Sequence, residues 1–158
     1  MSVPLKIAER VAYSHLGRPY VWGGDSALEG FDCSGLCIEI LKSVGILPLR
    51  GDWTARGLWA HFQDCVTVTP QLGCLVFWGD PIRHVEFCLT NRLSLGASGG
   101  GSANTPPPPT GDVVIDLLHR ILFRLEGSGD DDAYIKIRPF NSRPGVVGFV
   151  DPFKRLVA

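Results

Sequence analysis

The chain has 158 residues, of which 45% are hydrophobic and 20% charged, and its net charge is −1 at pH 7. This length and composition suit one globular domain with a substantial core, so we expect a single domain over residues 1–158. The near-neutral charge offers no basic excess for binding nucleic acid, and no apolar run is long enough to cross a bilayer.

The N-terminus and the cysteines bear on location and on metal binding. The first residues lack the basic start and the continuous apolar stretch of a signal peptide, so the sequence predicts synthesis in the cytoplasm. Five cysteines leave one unpaired and form no Cys-x-x-Cys pair, so neither a disulfide framework nor a metal site is expected. Four of them lie in apolar stretches and are interpreted as small buried residues: Cys37, Cys65, Cys74 and Cys88.

Helical patterns dominate the N-terminal part of the chain. The spacing of the first predicted helix places Ile7, Val11 and Ala12 on one face. A loop rich in glycine and aromatic residues is predicted over 18–31. The predicted helices span residues 4–16, 32–44 and, with a weaker signal, 54–62.

The rest of the chain favours β-strands, with one interruption. Runs rich in β-branched and aromatic residues, bounded by Pro or Gly, predict strands at 66–69, 73–78, 84–90, 134–138 and 146–150. Helices followed by strands predict an α+β fold, with N-terminal helices packed on an antiparallel sheet. A loop rich in Gly, Ser and Pro and then an amphipathic helix at 112–126 predict an insertion over 98–133.

Cys33 and His84 are the candidate reactive pair. Cys33 opens the second predicted helix, whose N-terminus favours negative charge on sulfur. His84 opens a predicted strand, and an imidazole can take the thiol proton and return it to a leaving group. Glu86 follows two residues later, so the period of a strand places it on the same face as His84.

Five stretches share an order and spacing with a known family. They are Gly17–Gly24, Phe31–Leu36, Gly45–Pro48 with Arg50, Leu72–Trp78 and His84–Val85. Together they resemble the NlpC-type cell-wall peptidases, which are papain-like cysteine peptidases that cut the stem peptides of bacterial peptidoglycan. The resemblance covers residues 4–98 and implies a papain-like fold, in which 99–133 is an insertion and 134–158 supplies closing strands.

The resemblance also implies roles for individual residues. Cys33 corresponds to the nucleophile and His84 to its base. Residues at the positions of Tyr20, Asp32 and Ser34 bind substrate in the family, and Asp32 is also placed to cap the helix. Trp22, by contrast, is expected to pack in the core.

The chain departs from the family pattern at the third catalytic residue. A His, Asn or Gln is usual on the next strand, near Gly96, and a glycine is usual at the position of Glu86. Glycine has no side chain with which to orient the imidazole. We therefore expect Glu86 to hold His84 in one tautomer, with Asn91 as the second candidate.

The resemblance predicts a cysteine peptidase of peptidoglycan stem peptides that cleaves the bond between γ-D-glutamyl and a diamino acid. It implies no cofactor and no metal, and action at the bacterial cell wall. Alternatives are an amidase or acyltransferase on the same scaffold, or a catalytically degenerate structural component of a phage tail. The C-terminal part resembles phage-encoded members. The expected delivery partner is therefore a phage particle or a lysis complex, and in the first case the chain is a virion component.

Overall fold

The helices and strands form an α+β arrangement, which confirms the predicted fold class. The structure is a computed structural model and describes residues 1–26, 28, 30–98 and 133–156. The helices are α1 (Val3–Ser14), α2 (Cys33–Ser43) and α3 (Ala55–His61). The strands are β1 (Asp25–Ser26), β2 (Gly30–Phe31), β3 (Val66–Thr67), β4 (Leu75–Trp78), β5 (His84–Cys88), β6 (Leu93–Ala97), β7 (Ile135–Pro139) and β8 (Val146–Val150). The helix predicted at 112–126 lies outside the described residues, as does most of the predicted insertion.

Helix α1 packs on α2 through small side chains. Ala8 and Ala12 are fully buried, whereas Ile7 is exposed, so the prediction that Ile7 and Ala12 share one face is wrong. The helix is rotated so that its two alanines face the core, which lets the two helix backbones approach closely. No helix in the described part of the chain has the length and apolarity needed to cross a membrane.

The N-terminus of α2 is joined tightly to the loop that precedes it. Asp32 is the N-cap, and its Oδ1 accepts a hydrogen bond from the Gly35 backbone N–H at 2.7 Å. The Asp32 backbone N–H donates to the Gly24 carbonyl oxygen at 2.9 Å. A Cβ atom at Gly35 would overlap the same carbonyl, so only glycine permits this approach. Within the segment predicted as loop, β1 and β2 form a short antiparallel pair.

Six strands form one sheet in the order β3-β8-β4-β5-β6-β7, and all the neighbouring pairs are antiparallel. Trp78 on β4 pairs with His84 on β5, and Phe87 on β5 pairs with Leu95 on β6. The C-terminal part of the chain thus supplies β8, beside β4, and β7, beside β6. Strand β5 lies inside the sheet, where neighbours on both sides surround its side chains.

The sheet has a different environment on each face. One face packs on the helices, and its buried residues include Val85, Phe87 and Leu95 together with Leu36 and Ile40 of α2. The other face carries a smaller apolar cluster of Cys74, Val76, Trp78 and Cys88, flanked by Phe140 and Phe149. Cys37, Cys65, Cys74 and Cys88 are all buried, which confirms their predicted environment.

Candidate active site

Cys33 lies where the N-terminus of α2 meets the start of β5. It is the first residue of α2 and is partly exposed. Its Sγ donates to the backbone carbonyl oxygen of Arg83 at 4.0 Å, and Arg83 directly precedes His84. The Val85 backbone also hydrogen-bonds to Cys33, so both chain neighbours of His84 contact the sulfur. The fold thus brings together two segments that lie 50 residues apart in the chain.

The electrostatic environment of Cys33 favours a neutral thiol. Burial raises the pKa of Cys33 to about 11, and the negative charges of Asp32 and Glu86 contribute to the rise. Hydrogen bonds to the backbone at Val85 and Ser34 oppose it but are outweighed. The stabilisation of a thiolate expected from the N-terminus of α2 is therefore smaller than the opposing effects of burial and negative charge. At neutral pH the free protein holds Cys33 as a thiol, which needs a base to become a nucleophile.

His84 and Glu86 form a buried hydrogen-bonded pair. The His84 Nε2 atom lies 2.8 Å from Glu86 Oε1, and the Glu86 side chain is fully buried. Burial raises the pKa of Glu86, but contacts with His84, Arg138 and Ser94 outweigh it and lower the pKa overall. An ionised carboxylate only accepts hydrogen bonds, so Nε2 carries the proton. Burial lowers the pKa of His84, which keeps the ring neutral and leaves Nδ1 unprotonated and able to act as a base.

Two further residues hold the Glu86 carboxylate in place. The Ser94 hydroxyl donates to Oε2 at 2.7 Å, and Arg138 Nε lies 3.4 Å from Oε1. Ser94 and Arg138 face each other across β6 and β7. Glu86 is therefore fixed by partners from three strands, and those partners offset the cost of burying its charge.

Gly96 provides the room that Glu86 occupies. A Cβ atom at Gly96 would overlap Cγ and Cδ of the Glu86 side chain. The two departures from the family pattern are thus physically linked. Relative to the arrangement that the family resemblance implies, the glycine and the polar side chain have exchanged positions between β5 and β6, and Glu86 reaches the imidazole.

The three predicted substrate-binding residues surround the N-terminus of α2. The Ser34 hydroxyl donates to Asp32 Oδ1 at 3.1 Å, which accepts from the helix backbone as well. Burial, with the charges of Cys33 and Asp32, raises the pKa of Tyr20 above its usual range. Its hydroxyl therefore stays protonated and can donate a hydrogen bond. The Tyr20 backbone N–H is fixed by the carbonyl oxygen of Ala133 at 2.9 Å.

The expectation for Trp22 is wrong, and of the two candidates for orienting the imidazole only Glu86 contacts it. Trp22 is 62% exposed and does not pack in the core. It lies in a turn closed by the Gly24 N–H and the Val21 carbonyl oxygen, and Gly23 has φ of +68° there, so the indole projects into solvent. Asn91 is exposed in the turn between β5 and β6, whereas Glu86 contacts the imidazole.

Two arginines from the C-terminal part were missed by sequence reasoning. Arg138 pairs with Glu86, as described above. The Arg143 guanidinium lies 5.5 Å above the Trp78 ring, whose centroid is 5.4 Å from that of His84. Both arginines contribute to lowering the pKa of His84, after burial. No motif marks either residue, although the alternation of β7 places Arg138 and Lys136 on one face.

The part of the chain that the structure describes contains no group of three or more His, Cys, Asp or Glu side chains arranged to hold a metal ion.

Comparison with known proteins identifies the family. The sequence pattern of the NlpC/P60 family matches residues 17–115. The chain belongs to the NlpC/P60 family. This confirms the resemblance drawn from the motifs, and the matched NlpC/P60 region contains all the predicted site residues from Tyr20 to Glu86. Arg138 and Arg143 lie beyond it.

Individual NlpC/P60 relatives show how far the likeness extends. Protein P54 of Enterococcus faecium is 33% identical over 106 residues, which cover 66% of this chain and 18% of P54. Peptidoglycan endopeptidase RipB of Mycobacterium tuberculosis is 30% identical over 126 residues, covering 72% of this chain and 51% of RipB. The chain thus spans about half or less of the length of these relatives. The crystal structure of the NlpC/p60 domain of the peptidoglycan hydrolase SagA matches with a TM-score of 0.58 and 23% identity, over 92% of this chain and 97% of that domain.

Proposed function

We propose that this chain is a cysteine endopeptidase that hydrolyses peptidoglycan stem peptides at the bond between γ-D-glutamyl and the following diamino acid. Membership of the NlpC/P60 family supports the class of activity, as does the similarity to the peptidoglycan endopeptidase RipB and the peptidoglycan hydrolase SagA. The observation that carries the proposal is the buried His84–Glu86 pair on β5, together with the contacts of the Cys33 thiol with the backbone of Arg83 and Val85 on either side of His84.

Acylation begins when the substrate's scissile carbonyl lies beside Cys33. Nδ1 of His84 takes the thiol proton as sulfur attacks the carbonyl carbon, which forms a tetrahedral oxyanion. The Tyr20 hydroxyl and the backbone N–H at the start of α2 donate hydrogen bonds to that oxyanion. The imidazolium then gives its proton to the departing amine as the carbon–nitrogen bond breaks. A thioester on Cys33 remains.

Deacylation reverses the proton movements with water in place of the amine. His84 removes a proton from water as the water oxygen attacks the thioester carbon. The carbon–sulfur bond breaks, and the thiol of Cys33 recovers its proton from the imidazolium. Neutral Cys33 and neutral His84 are thus both the starting and the final states, in agreement with the pKa shifts of both groups.

Glu86 acts in this scheme as a positioning residue. Its carboxylate holds Nε2–H, which keeps Nδ1 free for the thiol proton and stabilises the imidazolium that forms. Asp32 and Ser34 bind the substrate's free amine end and its backbone. Asp32 suits this role because its carboxylate already accepts two hydrogen bonds at a fixed position.

Action at the bacterial cell wall, where peptidoglycan lies, is part of the proposal. Synthesis in the cytoplasm and delivery by a phage particle or a lysis complex stay predictions. Fractionating the host after expression of the protein would test the delivery: we expect the chain in the wall fraction only when the delivery partner is present.

The decisive experiment uses defined muropeptides with a tripeptide or tetrapeptide stem and reads the products by mass spectrometry. We expect cleavage after the D-glutamyl residue by the natural protein and by Cys74→Ala, a buried-cysteine control. Cys33→Ala should be inactive. Release of the intact peptide from the sugar would identify an amidase instead. No product, together with Cys33 that fails to react with a thiol probe, would favour the degenerate structural component.

A further inference from the structure

Arg143 is held at the edge of the candidate active site by two contacts. Its guanidinium lies over the Trp78 ring at 5.5 Å, and its Nη2 donates to Ser98 Oγ at 2.8 Å. Trp78 in turn packs against the His84 ring, with centroids 5.4 Å apart. The Trp78 ring therefore lies between the guanidinium and His84, the candidate base, and the two contacts fix the orientation of the guanidinium.

The loop that carries Arg143 is also joined to the turn that positions Cys33. The Gly79 backbone N–H, at the start of the turn between β4 and β5, donates to the carbonyl oxygen of Gly145 at 3.1 Å. The same turn ends at Arg83, whose carbonyl oxygen contacts the Cys33 sulfur. Arg143 and Cys33 thus flank one turn. Burial lowers the pKa of Arg143, whereas negative charge on Glu86 and on Cys33 acts to raise it, so the guanidinium interacts electrostatically with groups of the site.

The charge of Arg143 is not neutralised by an ion pair within the described part of the chain. The buried carboxylate of Glu86 is engaged by His84 and by Arg138. No carboxylate among the described residues lies within ion-pair distance of Arg143. Its one hydrogen bond to a described residue, with Ser98, leaves most of its donors available.

We propose that Arg143 binds a free carboxylate of the stem peptide and thereby selects substrates that carry this negative charge beside the scissile bond. The inference rests on the proposed function, which supplies the substrate class. A glutamyl residue linked through its γ-carboxyl keeps its α-carboxylate, a short carbon chain away from the scissile carbonyl. The diamino acid on the other side of the bond offers a second carboxylate when it ends the stem.

The physical advantage of Arg143 lies in its geometry. A guanidinium can bind a carboxylate through two parallel hydrogen bonds, and this pairing is stronger than a hydrogen bond between neutral groups. Stacking on Trp78 and the bond to Ser98 fix the side chain before substrate arrives, so little rotamer entropy is lost on binding. Partial burial reduces screening of the interaction by solvent and salt.

The test compares three synthetic tripeptide stems. One has all its carboxylates free, one carries a carboxamide in place of the D-glutamyl α-carboxylate, and one carries a carboxamide at the terminus of the diamino acid. For the natural protein we expect kcat/KM to fall about tenfold or more for one of the two amidated stems, and that stem identifies the carboxylate bound. Arg143→Gln should lose activity on the free stem through KM and should no longer discriminate between the stems. Arg143→Lys should retain part of the preference.

Arg56→Gln, at an exposed position of α3, is the matched control and should keep the full preference. A merely structural Arg143 would lower activity on all three stems equally, with a lower thermal midpoint, and that result would overturn the inference. Cleavage of all three stems at equal rates by the natural protein would overturn it too and leave the proposed function standing. If the natural protein cleaves no stem, calorimetric titration of Cys33→Ala with the same peptides decides, and failure to distinguish the free from the amidated stems would overturn the inference.

Discussion

One face of strand β5 is an apolar packing surface, whereas the other carries a buried ionic network. Val85 and Phe87 are fully buried against the helices. The side chains between them, His84 and Glu86, point to the opposite face, where Glu86 is bound by the imidazole and by Ser94. Because the side-chain period of a strand is two residues, adjacent positions can serve the core and the chemistry independently.

The two faces have opposite energetic character. Burial of Phe87 is favourable in itself, since its surface is removed from water. Burial of the Glu86 charge is costly in itself and is tolerated only while His84, Ser94 and Arg138 remain paired with it. The apolar face therefore contributes to stability, and the ionic face determines geometry and protonation state.

The largest effect is expected on the apolar face. Phe87→Ala should lower the free energy of unfolding by about 3–5 kcal/mol, because it removes a buried ring and leaves a cavity. Chemical denaturation with urea measures this loss, and Phe87→Leu should lose less. The pH profile of the activity that remains should match that of the natural protein. A displaced profile would show that the two faces are coupled.

Glu86→Gln tests the ionic face. It removes the charge while keeping the shape, and we expect kcat/KM to fall about a hundredfold or more, because the imidazolium loses its counter-ion and its fixed tautomer. Glu86 raises the pKa of His84, so the acid limb of the pH–rate profile should move to lower pH in the variant. Ser94→Ala, which removes one hydrogen bond to the carboxylate, should shift the acid limb less. An unchanged profile would contradict the positioning role.

The exchange between Glu86 and Gly96 predicts strong coupling. Gly96→Ala should cost about 1–3 kcal/mol of stability, because its Cβ overlaps the Glu86 side chain. The same change should cost little in a Glu86→Gly background, and a double-mutant cycle on unfolding measures the difference. Glu86→Gly with Gly96→His rebuilds the usual family arrangement and should recover part of the activity lost in Glu86→Gly alone. If the two substitutions had additive effects on the free energy of unfolding, the proposed link between positions 86 and 96 would be wrong.

The smallest effect concerns the reactivity of the free thiol. With a pKa of about 11, the rate of Cys33 alkylation should rise about tenfold per pH unit from pH 7 to pH 10. Asp32→Asn keeps a good helix cap but removes a negative charge that raises this pKa, so it should speed alkylation at pH 8. Iodoacetamide labelling followed by mass spectrometry measures both rates. A rate that is already constant near pH 7 would indicate a resting thiolate instead.

Much of the fold was accessible from local sequence patterns. The cap at Asp32, the apolar spacing of α2 and the order of helices before strands can all be read from residues that lie close together in the chain. The motifs likewise marked Cys33 and His84, and strand periodicity put Glu86 beside the imidazole. The placement of Ile7 and Trp22 was predicted wrongly, because apolarity alone does not determine how a helix is rotated or in which direction the side chains of a turn project.

By itself, the sequence determined the fold class, the family and the identity of the candidate thiol, imidazole and carboxylate. The tertiary structure decided what surrounds them. The space at Gly96 that admits Glu86 and the pairing with Arg138 arise between strands, and the approach of Arg143 comes from a segment far along the chain. The raised pKa of Cys33 likewise comes from burial by the assembled domain. Such long-range contacts and the desolvation they cause have no local signature, because they exist only once distant segments have packed together.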